Sequence, residues 1–544
     1  MFVRLKRVKS GERTYQYLQI VENTREAGLV RQRVVGNLGR LDELIESGNL
    51  ERVIAQMVEH CPGVRILRAQ AAGSLEVLSD RVWGPVLVFD RLWEELGLKV
   101  LLRQLAKGRR FDFDFERMIF AQTLQRFLEP GSDLRGSKWI ATVHEPSFDG
   151  LRLEHFYRSL GLLWKKKQEI ERALYARGLD LFNHDVDLVF FDTTSTYFEG
   201  ISLAGWAKLG KSKDHRPDHL QLIIGVVMRR DGVPICCEIW PGNTADIKTL
   251  VPIIDALKHR FHIRRVIFVC DRGMVSRGNL EALERAKYQY IVGMKMRGLV
   301  EVRDDVLGRA GRYHEVADNL QVKEVWVENE RRYIVCFNPD EAKKDRQDRE
   351  ATIEKIRKKL ASGGVKSLIG NRGYKRYLKV TKGSATIDLD RVKAEERYDG
   401  KYVLRTTTNL PAAEVAQAYK DLTWIERLWR ELKDVVEMRP VYHWQKRDNV
   451  RGHIFVCFLA LYLAALLRRK LSEAGIDMQW DEVIRALSSV RAVTVNLAGE
   501  PYLMRTPLEG GAGRILAAVG VKPPPLAQAA PAKVGTGVVP RTEA

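Results

Sequence analysis

The first forty positions alternate basic and apolar residues, as in Val3-Arg4-Leu5-Lys6 and Tyr15-Gln16-Tyr17-Leu18-Gln19-Ile20, with turn residues at Ser10-Gly11 and near Asn23. That two-residue period predicts short strands. From Leu41 the spacing becomes helical: segments 41–60, 86–106, 113–129 and 152–178 carry apolar residues three and four apart, and Pro62-Gly63, Gly108 and Pro130-Gly131 break them. At Val186 the texture changes again. Residues 186–191 read as a buried strand that runs into the polar stretch Asp192-Thr193-Thr194. His219–Met228 and Val233–Trp240 flank Arg229-Arg230-Asp231-Gly232, a hairpin turn. Helix Thr249–His259, strand Arg265–Cys270, helix Arg277–Ala286 and strand Tyr288–Met294 follow. The predicted order is three strands, then helix, strand, helix, strand.

Between 300 and 410, strand-like pieces (Lys323–Asn329, Arg332–Asn338, Lys401–Asn409) surround a charged helical piece, Asp340–Leu360. Beyond Pro411 two long helices are predicted, Ala413–Glu437 and Asp448–Leu471. From Lys522 the chain is rich in Pro, Ala and Gly, which predicts a disordered tail. The pattern divides the chain into an N-terminal region of strands then helices (1–180), an α/β part (181–299), a β-rich basic segment (300–410), a helical return (411–475), a C-terminal helical region (476–521) and the tail (522–544).

Charge sharpens this picture. Lys and Arg number 90 against 70 for Asp and Glu, a net +20 with a pI near 9.6. Such an excess is what a polyanionic partner rewards, through release of its counterions. Residues 341–383 hold 14 Lys or Arg against 5 Asp or Glu, and Asn371–Lys382 interleaves aromatic with cationic residues, a pattern suited to nucleic acid. The longest apolar run, Ile454–Leu467, is shorter than the roughly 20 residues that cross a bilayer and is followed by Arg468, Arg469 and Lys470, so a buried helix and no membrane partner are expected. The N-terminus carries no apolar stretch of signal-peptide length, and a cytoplasmic protein is expected. Six cysteines, with no Cys-x-x-Cys pair and mostly inside apolar runs, indicate neither a disulfide framework nor a zinc site.

The candidate chemistry lies in carboxylates. Asp192 and Asp271 each stand at the C-terminal end of an apolar strand, and hard cations such as Mg²⁺ take oxygen ligands of this kind. For a third acid the helix after Pro411 offers Glu426, set among Trp424, Ile425, Leu428 and Trp429, where a charge is costly unless it faces a metal or a partner. Asp214, His215, Asp218 and Glu431 are weaker candidates. His443 and His453 fit packing or hydrogen-bonding roles better than ligation.

The element order and these motifs resemble the DDE transposases of bacterial insertion sequences, whose catalytic core is RNase H-like. The branch most similar to this chain carries a Tyr-Arg-Glu-Lys signature with two, three and six residues in the gaps. Tyr419, Glu426 and Lys433 fall at those spacings, and Leu422 occupies the Arg position. Ser212–Asp218, Pro241–Asp246, Asp271-Arg272-Gly273 and Arg439–His443 extend the likeness. The 155 residues between Asp271 and Glu426 accommodate the mainly β insertion domain of that branch. The fold implied is α/β: an RNase H-like core interrupted by the insertion, with a mostly helical N-terminal region.

The resemblance implies in-line displacement at phosphorus with two Mg²⁺ ions, or Mn²⁺ in their place, held by Asp192, Asp271 and Glu426. It implies phosphate contacts from Tyr419 and Lys433, with Arg427 and Arg430 the candidates to replace the signature arginine. Seven residues separate Tyr419 from Glu426 and Glu426 from Lys433, each close to two helical turns, so the three share a helix face. The implied partners are DNA, both terminal inverted repeats and target, and a second copy of the chain on that DNA, at the bacterial nucleoid. The N-terminal region is the candidate for end recognition. Two other readings remain: an RNase H-like nuclease without strand transfer, and an inactive DNA-binding descendant.

Overall fold

The computed structural model describes the chain apart from residues 12, 27–28, 62–63, 65–74, 183–187, 199–205, 211–215, 264–265, 328–329, 363–364, 382–383, 424–425, 427–440, 442–445, 498–499 and 531–544. It divides into two compact units, residues 1–84 with 485–513 and 522–544, and residues 85–484 with 514–521.

In the first unit, the alternating N-terminal pattern forms β1 (Phe2–Ser10), β2 (Arg13–Glu26) and β3 (Leu29–Arg40), an antiparallel meander longer than expected. Helices α1 (Leu41–Glu46) and α2 (Asn49–Glu59) follow, and later β4 (Leu75–Val82).

The second unit opens with the predicted helices: α3 (Gly84–Glu95), α4 (Leu98–Ala106), α5 (Phe115–Leu128), α6 (Asp133–Trp139), α7 (Leu153–Lys165) and α8 (Lys167–Phe182). The expected helix over 86–106 is two, because Gly97 adopts a left-handed φ of 71°, a conformation that costs glycine least. Next come β5 (Leu188–Tyr197), β6 (Gln221–Arg229), β7 (Pro234–Pro241), α9 (Leu250–Asp255), β8 (Ile267–Cys270), α10 (Arg277–Arg285) and β9 (Gln289–Met294). Their order across the sheet is β7-β6-β5-β8-β9. β6 and β7 run antiparallel to their neighbours, whereas β5, β8 and β9 are mutually parallel. This is the RNase H-like arrangement. One sheet face is sealed by a core in which Val189, Phe191 and Phe268 pack with Leu250 and Ile253 of α9 and Leu280 and Leu283 of α10.

Four strands of the segment 300–410 extend the same sheet, and two others form a hairpin of their own. Strands β10 (His314–Ala317), β11 (Leu320–Val327), β12 (Arg331–Phe337) and, later, β15 (Lys401–Thr406) continue it past β9 to nine strands. Between β12 and β15 lie α11 (Pro339–Ala361), α12 (Val365–Gly370), α13 (Arg372–Lys375), the hairpin β13 (Leu378–Thr381) with β14 (Ser384–Ile387), and α14 (Leu389–Glu396). They share a small core of Ile356, Leu368, Tyr377 and Leu378. Helix α15 (Ala412–Lys420) follows β15, and the long α16 (Arg447–Glu473) is buried along most of its length. α16 is long and apolar enough to cross a membrane, but 94% of its apolar window lies inside the protein. Gly452 lets it approach α7 closely: a Cβ there would overlap the Leu160 carbonyl oxygen.

After α17 (Trp480–Ser488), the first unit is completed by β16 (Arg491–Leu497), β17 (Glu500–Arg505) and β18 (Ala527–Ala529), in the sheet order β18-β17-β16-β4, while α18 (Ala512–Ala518) falls mostly in the second unit. This corrects the helical expectation for 476–521. Arg491-Ala492-Val493-Thr494-Val495-Asn496-Leu497 alternates with β-branched residues, a strand pattern, and its partner β4 lies some four hundred residues earlier. The disorder expected from Lys522 does not hold over the described residues, because Ala527–Ala529 pairs with Tyr502–Met504. Residues 531–544 lie outside the described part.

A buried ionic cluster ties α8 to β7, at the edge of the sheet. Lys167 Nζ lies 3.0 Å from Glu171 Oε2 and 3.1 Å from Glu238 Oε1, Arg260 Nη2 lies 2.9 Å from Glu238 Oε1, and Glu171 Oε1 accepts the Cys237 N–H at 3.0 Å. Glu171 is fully buried, so burial pushes its carboxyl upward while Lys167 and Arg260 hold it down. Glu171→Ala leaves Lys167 and the Cys237 N–H without this acceptor and is expected to destabilise by about 3 to 5 kcal/mol, measured as a lower urea midpoint with circular dichroism.

Candidate active site at the strand ends

β5 and β8 run parallel in a register that sets Phe191 opposite Cys270. The residue after each is an aspartate, Asp192 and Asp271, so two acids 79 positions apart in sequence are neighbours on adjacent strands. Asp271 follows the last residue of β8, whereas Asp192 lies inside β5, which runs on to Tyr197 and does not end at Phe191 as expected. The C-terminal ends of strands such as β8 are where ligands bind in open α/β sheets. Both acids are half-buried. The Cys270 thiol registers both: burial, then Asp271, then Asp192 push it well above its ordinary range.

Alternation along β5 points Phe191 and Thr193 to the face sealed by α9 and α10 and Asp192 to the other. From that other face comes α15. Its Tyr419 hydroxyl donates to Asp271 Oδ1 at 3.1 Å. Burial, then the Asp271 charge, hold this phenol far above its usual range, so it remains protonated and remains a donor. Gly293, on β9, makes room: a Cβ there would overlap the Tyr419 hydroxyl. Asp271 Oδ2 also receives the Gly273 N–H at 3.4 Å, which closes the turn after β8.

A second carboxylate reaches β5 from the opposite side. Thr193, buried, donates its Oγ1 hydrogen to Asp246 Oδ1 at 2.7 Å, and its N–H donates to Asp192 Oδ1 at 2.7 Å.

The other predicted residues fare differently. Glu426 is helical and exposed. The helical run that carries it is interrupted at Asp421, so the expected helix Ala413–Glu437 is not continuous. Leu422, at the signature Arg position, is 5% exposed and belongs to the core, where an arginine would have to bury its charge. Arg427, Arg430, Glu431, Lys433 and His443 lie outside the described residues, as do Asp214 and His215. Asp218 is exposed and pairs with the His219 ring at 2.8 Å, and His453 is buried in α16. Sequence reading missed Gly293, Thr193 and the contact between Thr193 and Asp246. The Asp192-Thr193-Thr194 and Pro241–Asp246 motifs carried the signal for the last two; nothing in the sequence pointed to Gly293.

A cation fits the donors that these strands present. Asp192 and Asp271 offer oxygen ligands alone, and like charges on adjacent strands repel unless a cation or a proton lies between them. Elsewhere among the described residues, Asp112, Glu154 and His155 gather possible ligand atoms within 4.8 Å of one another. There His155 Nδ1 accepts the Arg152 N–H at 3.1 Å, so the neutral ring carries its proton on Nε2 and offers no lone pair to a metal. Burial also lowers the pKa of this histidine. That group is a polar cluster at the start of α7.

Residues 185–463 match the family model of the transposase DDE domain, and residues 3–68 match that of the N-terminal domain of IS1634 family transposases. No curated protein matches the chain. Among solved structures, the chain is similar to the piggyBac transposase in a cryo-EM synaptic complex with hairpin DNA, at 9% identity and a TM-score of 0.39, over 74% of this chain and 79% of that one. It is also similar to the Mos1 transposase in a paired-end complex with the left transposon end, at 13% identity and a TM-score of 0.15, over 34% of this chain and 60% of that one. The assignment rests on the family models: with the DDE domain spanning more than half of its length, the chain belongs to the DDE transposases of insertion sequences.

Proposed function

We propose that this transposase binds the terminal inverted repeats of its own element, cleaves DNA there and joins the freed ends to target DNA, working in the bacterial cytoplasm as a homodimer on the nucleoid's DNA. The observation that carries the reading is the pairing of β5 with β8, which brings Asp192, within β5, beside Asp271, at the end of β8 and beneath Tyr419. Membership of the DDE family implies dependence on a divalent cation. In this proposal Asp192 holds both of two Mg²⁺ ions, Asp271 and Glu426 each hold one, and Mn²⁺ serves in their place. Cations so held supply Lewis-acid stabilisation to a phosphate under in-line attack.

The chain's own groups do the rest. The Tyr419 hydroxyl on Oδ1 and the Gly273 N–H on Oδ2 together fix the rotamer of Asp271. Lys433, Arg427 and Arg430 are proposed to grip DNA phosphates, contacts that set register and affinity without reading sequence. The basic surplus of α11–α14 adds phosphate attraction of the same kind. Base contacts that single out the inverted repeat are proposed for residues 1–180.

Asp192→Asn, Asp271→Asn and Glu426→Gln are each expected to lower Mg²⁺-dependent cleavage of DNA carrying the element's ends by more than about 10³-fold, while binding in a mobility-shift assay holds. Full cleavage by Glu426→Gln would remove it from the triad. Cleavage without joining, in an assay that supplies target DNA, would favour the nuclease reading.

Gly293→Ala is expected to displace the Tyr419 hydroxyl and cost about 10²-fold in single-turnover cleavage, as misplacement by about 1 Å does. Tyr419→Phe, which loses the hydrogen bond but keeps the ring, should cost less. Equal rates for Gly293→Ala and wild type would show that the contact between Tyr419 and Asp271 does not matter.

A further inference from the structure

The loop Pro241–Asp246 is built with more constraint than a surface connection needs. A Cβ at Gly242 would overlap the carbonyl oxygens of Gln221 and Lys208, so only glycine lets the loop pass this close to its neighbours. The Thr244 N–H donates to the Pro241 carbonyl at 2.9 Å, and the Asp246 carbonyl accepts from both the Thr249 N–H at 3.0 Å and Thr249 Oγ1 at 2.6 Å. Asn279, 5% exposed on α10, donates through Nδ2 to the Ile247 carbonyl at 2.8 Å and to the Met274 carbonyl at 2.6 Å. One buried amide therefore ties this loop to the turn that follows Asp271.

The effect of these bonds is to fix one carboxylate. Asp246 Oδ1 receives the Thr193 hydroxyl, and Thr193 is the residue next to Asp192. Asp246 Oδ2 lies on the side of the second acid: the Cβ position of Gly273 is 3.8 Å from Asp246 Oδ2 and 3.7 Å from Asp271 Oδ2, so the two carboxylates flank the same glycine. The loop therefore bridges the turn after β8 and the middle of β5. It also adds a negative charge beside two others.

We propose that Asp246 is a positioning residue of the reaction centre. Through Thr193 it holds the stretch of β5 that carries Asp192, and through its charge it raises the affinity of the neighbouring aspartates for their divalent cation. Carboxylates that support the ligands of a metal in this way commonly matter 10- to 100-fold, roughly, to its affinity. The inference rests on reading Asp192, on β5, and Asp271, at the end of β8, as the cation site.

The test is a calorimetric titration of the full chain with Mn²⁺ in the absence of DNA. Asp246→Asn keeps an oxygen to accept from Thr193 and loses only the charge. It is expected to weaken Mn²⁺ binding about tenfold, to leave the metal-free thermal midpoint unchanged, and to regain cleavage as Mn²⁺ is raised. Thr193→Val keeps the charge and should weaken binding less. Wild-type affinity in Asp246→Asn, with Asp192→Asn impaired, would overturn the proposal alone. A fall in metal-free stability that accounts for the lost affinity would make Asp246 structural and overturn it as well. If the wild type bound no Mn²⁺, or Asp192→Asn bound as the wild type does, the reading of Asp192 and Asp271 as the cation site would fail and this inference with it.

Discussion

Everything at the reaction centre depends on one strand pairing. The parallel register of β5 against β8 sets Phe191 beside Cys270, and it obliges the next residue on each strand to present a carboxylate to the same space. The arrangement is unfavourable by itself, since like charges are being held together at half-buried positions. It persists because both strands are anchored in the core below. Phe191 and Phe268 are fully buried, and α9 and α10 close over that face. Burial of apolar side chains fixes the strands, and the strands fix the charges.

The groups around the acids come from both faces of the sheet. Tyr419 reaches Asp271 from α15 on one side, and Asp246 reaches Thr193 from the loop after β7 on the other. Each depends on a glycine, Gly293 beneath the tyrosine and Gly242 in the loop. The carboxylates are thus positioned by rigid elements on two sides. Such preorganisation is what phosphoryl chemistry asks of a protein that contributes little covalent chemistry of its own.

The core was legible in the sequence because its signals are local. Apolar runs of four to eight residues, the Arg229–Gly232 turn and the polar residues after Phe191 and Cys270 placed five strands and two acids within a few positions. What sequence reading missed came from contacts distant along the chain. β16 follows the strand pattern, but it finds its partner in β4, so the segment 476–521 was read as helical. The strands β11, β12 and β15 read correctly as strands and the short β10 did not, and nothing local says that they extend the core sheet past β9. At the site, the spacing of Tyr419 and Glu426 supports a shared helix face, and most of the chain beyond Thr423 that would show it lies outside the described residues. Tyr419 was given a phosphate contact by resemblance, and its hydroxyl lies against Asp271. Gly293 could not have been singled out, because its importance comes from a side chain 126 positions later.

The central claim is that Asp192, on β5, and Asp271, at the end of β8, form the cation site. Anomalous diffraction from crystals of the full chain soaked in Mn²⁺ tests it most directly. The account predicts anomalous density between Asp192 and Asp271, lost in crystals of Asp192→Asn. Density at Asp112, Glu154 and His155 with none at Asp192 and Asp271 would contradict it.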